Sequence, residues 1–537
     1  MSEKIWGTLD PFYEGGPFLG RIVANTGFLH ALLKRDPFDQ YHFFLSSQKI
    51  VSNCQFYLDK YFQPKLDRIK FYPRTELINC LSKIPYNVFH LSDCINNPAH
   101  LARLRNRYAG RIFPVTSITH SLSYSSYSLQ LLKQLWPGWT SKDVIVCSSE
   151  CARNVLDRYF RHLRTSFSLS PDFQPPGMTQ IPLGIDFEQF QLLTESKIPA
   201  GILDKHKVNI LCLGRISCYS KMDILPILRG FQLAGIYGLD LGKTRLVLAG
   251  GMDQKDDTVK KLSLFARNIG LEIRIVPNPD NKLKKNLLHN SDIFVSLADN
   301  PQETFGLTIL EAQAAGLPVV ASDYNGYREL IDHQENGFLI PTLGPDNTDY
   351  IDELAPLVYD SESHLLLAQS CAVDLHALAR TLARLIADPQ LRQKTVDNGR
   401  QNARQYDWSL IIDRYIELWD MLNSKSDGQH QRDIKHPVHT PYSDIFAEHT
   451  TDSWINSVVC IGKLGKAVYR GKDHLVIYSG IDGIIDQEKI RMLLFLARTP
   501  HKCSSLIARL CASLDIDPST ARLVVAWSIK QGLLQTS

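Results

Sequence analysis

The chain has 537 residues, 44% of them hydrophobic and 21% charged, with a formal net charge of +3. That length exceeds what one hydrophobic core supports, so about three units are expected. The near-neutral charge gives no global attraction to nucleic acid or anionic lipid. No segment is apolar for long enough to span a bilayer, and the opening MSEKIWGTLDPFYEGG lacks the apolar run of a signal peptide. A cytoplasmic protein is expected, in solution or peripheral at a membrane surface. The eleven cysteines are odd in number, form no CxxC pair and often sit in apolar patterns (Cys147, Cys212). Buried reduced thiols fit this better than disulfides or a metal site.

Short apolar runs alternate with amphipathic stretches almost to residue 425. In the first half, strands are expected at Lys4–Leu9, Tyr41–Ser47, Asn87–Leu91, Ile112–Ile118 and Asp143–Ser148. In the second half they are expected at Asn209–Arg215, Arg245–Gly250, Glu272–Val276, Asp292–Leu297 and Pro318–Ser322. Consecutive Val, Ile, Leu and Phe within them suit strands buried on both faces. Helical patterns such as Asp223–Ala234 and Val259–Ile269 lie between, and this alternation predicts parallel, doubly wound sheets. The α/β class with two Rossmann-like domains follows, spanning 1–195 and 196–424. A polar stretch with two prolines, SKSDGQHQRDIKHPVHTPYSD, marks a linker over 425–442. His430, His436 and His439 fall in it, and solvated side chains are expected there rather than a zinc site. Residues 443–537 form a small α+β module. Two or three short strands are expected within Val458–Ser479, then helices over Asp486–Ala497, Cys503–Ser513 and Ser519–Lys530. This strand-then-helix order resembles a winged helix or a peptide-recognition module of the PqqD type. Its last helix is too apolar for groove reading, which favours a protein or peptide partner and no nucleic acid.

The chemistry concentrates in Asn300–Thr342, NPQETFGLTILEAQAAGLPVVASDYNGYRELIDHQENGFLIPT. It follows a buried strand and is expected to open a helix at about Thr304, whose N-terminal N–H groups and dipole suit a phosphate. Gly306, placed in the first turn, leaves the backbone open to a ligand. Glu303 stands at that end, and Glu311 about 12 Å further on at helical rise. Two such carboxylates can grip both ends of a sugar nucleotide. Alone, they read more readily as a terminal helix charge and a solvated face residue.

Glu303-x7-Glu311 within ETFGLTILEAQAAGLPVVAS resembles the E-x7-E motif of family 4 retaining glycosyltransferases of the GT-B fold. Three further segments resemble that family in the same order. Ile181–Phe190 (IPLGIDFEQF) is similar to its crossover segment, Leu211–Lys221 (LCLGRISCYSK) to its phosphate-binding element, and Tyr327–Leu339 (YRELIDHQENGFL) to its E-x-I-x5-G-x-L stretch. The resemblance implies two Rossmann-like domains facing across a cleft, with the winged-helix-like module appended. It implies that Arg215 and Lys221 neutralise the donor diphosphate and that Glu303 holds hydroxyls of the transferred sugar. The backbone of Phe305, Gly306 and Leu307 then supports sugar and phosphate, and Glu311 takes the ribose hydroxyls. Lys221 follows Arg215 by six residues where the family more often has five.

In the first domain, Gly15 and Gly16 match the family's glycine-rich loop over the donor, here followed by a proline. His120 ends the Ile112–Ile118 strand. A lone histidine there is commonly a structural hydrogen-bonder, whereas the resemblance makes it a cleft residue touching the donor sugar. His90 has the weaker case of the two. Arg103, Arg105, Arg107 and Arg111 are expected on a solvated helix face, and Asp515-x-Asp517 as a helix cap rather than a metal pair. The Rossmann-like domains contain no DxD pair, and neither metal nor cofactor is expected. The implied reaction is a front-face transfer with retention, from a nucleotide-sugar donor to a glycan, lipid-linked or protein acceptor. The rival readings are an epimerase or phosphorylase of the same fold, and a silent sugar-nucleotide binder whose C-terminal module is its working part.

Overall fold

A computed structural model describes residues 3–13, 20–62, 67–191, 198–217, 219, 221–252, 257–426, 434–436 and 438–536. The first domain is a seven-stranded parallel sheet of β1 (Ile5–Thr8), β2 (Gln40–Leu45), β3 (Ile69–Pro73), β4 (Val88–Leu91), β5 (Val115–Ile118), β6 (Val144–Cys147) and β7 (Gly177–Gln180). Its order is β3-β2-β1-β4-β5-β6-β7. The second is a six-stranded parallel sheet of β8 (Val208–Leu213), β9 (Thr244–Gly250), β10 (Glu272–Pro277), β11 (Ile293–Ser296), β12 (Val319–Ser322) and β13 (Phe338–Ile340). Its order is β10-β9-β8-β11-β12-β13, the same doubly wound pattern. The central strands β4, β5, β6, β11 and β12 are buried at every position, as their unbroken apolar runs predict. All ten expected strands form. The three that were not anticipated, β3, β7 and β13, lie at sheet edges. A two-stranded antiparallel pair, β14 (Thr342–Leu343) with β15 (Ala372–Val373), flanks the second sheet.

After the second sheet the chain returns to the first. Ile185 bridges Asp407 at the crossover, and the helix Trp408–Ser424 lies along the helix Gly20–Arg35. Tyr415 packs edge-on to Phe28 with ring centroids 5.0 Å apart, and Trp419 Nε1 donates to Thr116 Oγ1 at 3.1 Å. The tail keeps its own core, which includes Val459, Leu493, Leu506, Leu510, Val524 and Leu534. Its three helices form as expected at Gln487–Leu496, Cys503–Leu514 and Pro518–Lys530. The strands do not. Only β16 (Val458–Ile461) falls in the expected span, followed by a helix at Lys463–Tyr469. Its antiparallel neighbours β17 (His501–Lys502) and β18 (Leu534–Thr536) come from between and after the helices. Asp517 caps the last helix, accepting from Ser519 N and Thr520 N.

Two surface expectations change. Arg105 is fully buried and pairs with Asp143, and Arg103 is buried beside it, whereas Arg107 and Arg111 are exposed as expected, Arg111 donating to the Tyr86 carbonyl. Part of the expected linker is docked on the first domain. Trp136 Nε1 donates to Ile434 O at 3.2 Å, and His436 Nε2 to Leu135 O at 3.2 Å. His439 is exposed as expected, and His430 lies outside the described residues. The ten described cysteines are all free. No helix among the described residues is long and apolar enough to cross a membrane.

Candidate active site

The second sheet reverses its winding between the adjacent strands β8 and β11, and the candidate residues leave the C-terminal ends of those two strands. Arg215 follows β8, and the Asp299–Gly306 turn follows β11. This is the usual ligand crevice of an open α/β sheet. A Cβ on Gly250, at the end of the neighbouring β9, would stand 1.6 Å from the Gly214 carbonyl, so the Arg215 turn is built directly on glycine backbone.

The helix opens at Leu307 and not at Thr304, with Gly306 as its N-cap at φ +116°. A Cβ there would lie 2.7 Å from the Tyr327 ring, so conformation and packing both demand glycine. Glu303 therefore sits in the preceding turn. Its Oε2 accepts from Lys221 Nζ at 3.0 Å and from the Tyr327 hydroxyl at 3.4 Å, and that hydroxyl is 2.9 Å from Ser296 Oγ. Lys221 Nζ also lies 3.3 Å from Thr308 Oγ1. Burial opposes charge on both partners, but their mutual attraction outweighs it. The Glu303 carboxyl is held below and the Lys221 ammonium above its ordinary range. Both stay ionised near neutrality. The longer spacing from Arg215 thus still delivers Lys221 to the site, with its own φ at +76°. Arg215 Nη2 donates to Gln302 Oε1 at 3.0 Å. Burial lowers the guanidinium from its very high ordinary value, and nearby Tyr124 and Glu303 oppose that.

Glu311 is not a solvated face residue. Its side chain is 5% exposed, and Oε1 is 2.7 Å from Lys284 Nζ. Oε2 is buried with no hydrogen-bond partner. Phe305 is buried beneath the turn and Leu307 is half-buried at the helix start. The helical rise from Leu307 to Glu311 is about 6 Å, the rest of the separation from Glu303 being turn.

Across the cleft, His120 Nε2 lies 3.0 Å from both Asn25 Oδ1 and Ser92 O, two acceptors that fix the proton on that nitrogen. Burial, then the nearby Arg21, pushes the imidazole down to about 4, so it is neutral near pH 7. The next residue, Ser121, donates to Gln302 O at 2.8 Å, which brings the end of the His120 strand to the Glu303 turn. His90 is instead core, fully buried among Phe12, Phe28, Tyr415 and Trp419. Gly15 and Gly16 lie outside the described residues. Among the described residues no group of three metal-ligating side chains stands together.

Several residues here were not singled out as site residues in the sequence. Ser149 Oγ donates to Thr304 O at 2.7 Å, gripping the far side of the same turn from the first domain. Glu329 accepts from Glu150 N, Cys151 N and Gln180 Nε2 at 2.8–3.0 Å, capping a first-domain helix from the second domain. Lys284, Gln302, Tyr327 and His364 complete the set. Glu329 and Tyr327 lay within a recognisable motif, and Gln302 directly before one.

Residues 236–369 match the family of glycosyl transferases, group 1. The chain is 27% identical over 150 residues to a phosphatidyl-myo-inositol mannosyltransferase of Mycobacterium leprae, 28% of this chain and 32% of that protein. It is 24% identical over 251 residues to a D-inositol 3-phosphate glycosyltransferase of Saccharomonospora viridis, 46% of this chain and 51% of that one. The matches thus span between about a third and a half of these relatives' length. Among solved structures, a glycosyltransferase from Rickettsia africae superposes with a TM-score of 0.52 at 16% identity, covering 79% of this chain and 99% of that one. That likeness is one of fold. Two parallel sheets of this order have the arrangement of the GT-B fold, and the segment similar to the group 1 glycosyl transferases lies in the second of them.

Proposed function

We propose that the chain transfers a sugar from a nucleotide-diphosphate donor to a hydroxyl acceptor with retention of anomeric configuration and without a metal ion. The observation that carries this reading is the polar asymmetry along one helix. Two cations, Arg215 and Lys221, and a glycine-capped N-terminus stand at one end, and the orphaned Glu311 carboxylate oxygen waits beyond them. A diphosphate at the first place and a ribose at the second satisfy both. The ribose hydroxyl would donate to Glu311 Oε2, which otherwise carries an uncompensated desolvation cost.

In this reading Arg215 and Lys221 face the leaving diphosphate, where negative charge grows as the glycosidic bond breaks. Glu303 accepts hydroxyls of the transferred sugar, which requires it to share or release its bond to Lys221. Glu303 does not stand as a free nucleophile, since it is already ion-paired. The acceptor hydroxyl attacks from the face the phosphate leaves, and the departing phosphate oxygen takes its proton. Neutral His120 orients the sugar by hydrogen bonding and takes no part in proton transfer. The acceptor is a glycan, a lipid-linked sugar or a protein, and the C-terminal module recruits it when it is a protein or peptide.

The test is a panel of sugar nucleotides screened for stabilisation and hydrolysis, then for transfer, with the anomeric product read by NMR. Turnover of one donor with retention is expected. Binding without turnover on any donor or acceptor would make the chain a silent binder, and an inverted product would overturn the front-face mechanism.

A further inference from the structure

Arg215 makes one hydrogen bond whose far end lies in the other domain. Its Nη2 donates to Gln302 Oε1 at 3.0 Å, Gln302 Nε2 lies 2.9 Å from His364 Nδ1, and His364 Nε2 lies 3.0 Å from Ser123 O. The two ends of this chain have no choice of role, because a guanidinium only donates and a carbonyl only accepts. The Gln302 oxygen must therefore face Arg215, its NH2 must donate to Nδ1, and His364 must be the neutral tautomer protonated at Nε2. One polarity runs from the second domain's cation, through two side chains, to the backbone of the first domain.

The surroundings make the chain rigid. His364 is fully buried on the helix Asp360–Gln369, and the Tyr124 ring packs edge-on to it at 5.5 Å. Ser121 Oγ donates to Gln302 O at 2.8 Å, and Ser125 N to Asp360 Oδ1 at 2.8 Å. The first-domain loop 121–125, immediately after His120, is thus fastened to the second domain at three points, two of them on the relay itself.

We infer that Gln302 and His364 are positioning residues that couple closure of the cleft to the orientation of Arg215. With the loop docked, Ser123 O fixes the His364 tautomer, which fixes the Gln302 amide, which holds the guanidinium. With the loop withdrawn, Nε2–H loses its acceptor and the Gln302 amide is free to turn over. The diphosphate-binding cation is then set in place only once the first domain has arrived, so bond cleavage waits for a closed, water-excluding cleft. This rests on the transferase reading above.

The experiment uses the full-length protein with Gln302→Glu, His364→Leu and the double variant. Glutamate still accepts from Arg215 and adds charge to that pair, but has no N–H for His364. It therefore separates a relay from a simple partner to the guanidinium. Each single change should lower kcat about ten- to a hundredfold, the usual cost of a misplaced group, with a smaller effect on donor KM. The double variant should be no worse than either single one, because all three break the same chain. Hydrogen exchange should rise at 214–217 in His364→Leu, although His364 does not touch that segment. Additive losses, or wild-type turnover in His364→Leu, would overturn the relay. If His364→Leu does not fold, Gln302→Glu alone decides by the same kcat and exchange readings. A wild type that turns over no sugar nucleotide would defeat the transferase reading instead. Exchange would then judge the relay alone, and an unchanged pattern at 214–217 would sink it.

Discussion

Replacing Glu311 by glutamine should weaken donor binding about ten- to a hundredfold while leaving the fold almost untouched. The carboxylate is 5% exposed, with Oε1 on Lys284 at 2.7 Å and Oε2 buried without a partner. A ribose hydroxyl donating to that oxygen makes a charge-assisted bond worth about 1.5–3 kcal/mol, which sets the expected fold-change. The effect on stability is opposed. The Lys284 pair is lost, but the Lys284 side chain is 22% exposed and can turn to water, so no charge is left buried alone. A neutral amide also relieves the desolvated Oε2. The net change in folding should be about 1 kcal/mol or less. Calorimetry with the nucleoside diphosphate reads the first effect and thermal melting the second. Turnover at saturating donor should stay within a few-fold, since a ribose contact is made equally in ground and transition states. Unchanged affinity would remove Glu311 from the ribose site. A collapsed melting temperature with normal binding would make it structural.

Arg215→Ala should lose far more turnover than stability, since the guanidinium matters most as the diphosphate leaves; early melting with normal turnover in the folded fraction would make it structural. Gly306→Ala places a Cβ against the Tyr327 ring at φ +116°, and should cost about 1–3 kcal/mol or more in chemical denaturation together with activity. His90 is pushed by burial to about 3, well below its unfolded value near 6.5, so stability should fall as pH drops through that window. In His90→Phe that fall should be shallower by about 1.4 kcal/mol per pH unit, and an unchanged slope would exclude His90 as a cause. Truncation after residue 441 should keep donor hydrolysis and reduce only transfer to a protein or peptide acceptor, and loss of hydrolysis in a folded truncation would tie the tail to the catalytic core.

The strands legible in the sequence are largely those buried on both faces, where continuous Val, Ile and Phe leave little alternative. The strands missed were edges. β3 is half-exposed as IKFYP, β7 is GMTQ with no buried residue, and β13 has three residues. Such segments are recruited by a sheet that already exists, and their own side chains carry little pattern. The same division runs through the site. Glu303, Glu311, Arg215 and Lys221 stand in motifs because they leave adjacent strand ends at fixed spacing. Gln302, His364, Ser121 and Ser149 are single polar residues from four separate places, meaningful only once the domains meet. Arg105 shows the opposite failure: its i, i+2 neighbours made it read as part of a basic face, while its partner Asp143 lies 38 residues away and could not be seen.

The path of the chain after the second sheet bears on what the tail can do. The helix Trp408–Ser424 starts at the crossover, where Trp408 N bonds Ile185 O, and ends where Asn423 donates to Asn87 O and Lys425 to Ser141 O. Asn87 and Ser141 precede β4 and β6, so the helix delivers the tail to the N-terminal edge of the first sheet. The cleft lies at the C-terminal edge, and seventeen residues of helix span about 25 Å. Ile434 and His436 then hold the linker against Trp136 and Leu135 at that remote edge. The tether itself is therefore remote from the cleft. The module also meets the first domain directly, since a Cβ on Gly483 would stand 2.0 Å from Glu76 Oε1, and the contribution to transfer expected of it is raised local concentration of a bound acceptor. The docked linker also sets where a cut can fall. Ending the chain at Lys425 would strip Ile434 from the aromatic cluster of the first domain and confuse loss of packing with loss of recruitment. A cut after 441 keeps that anchor and isolates the module's own part.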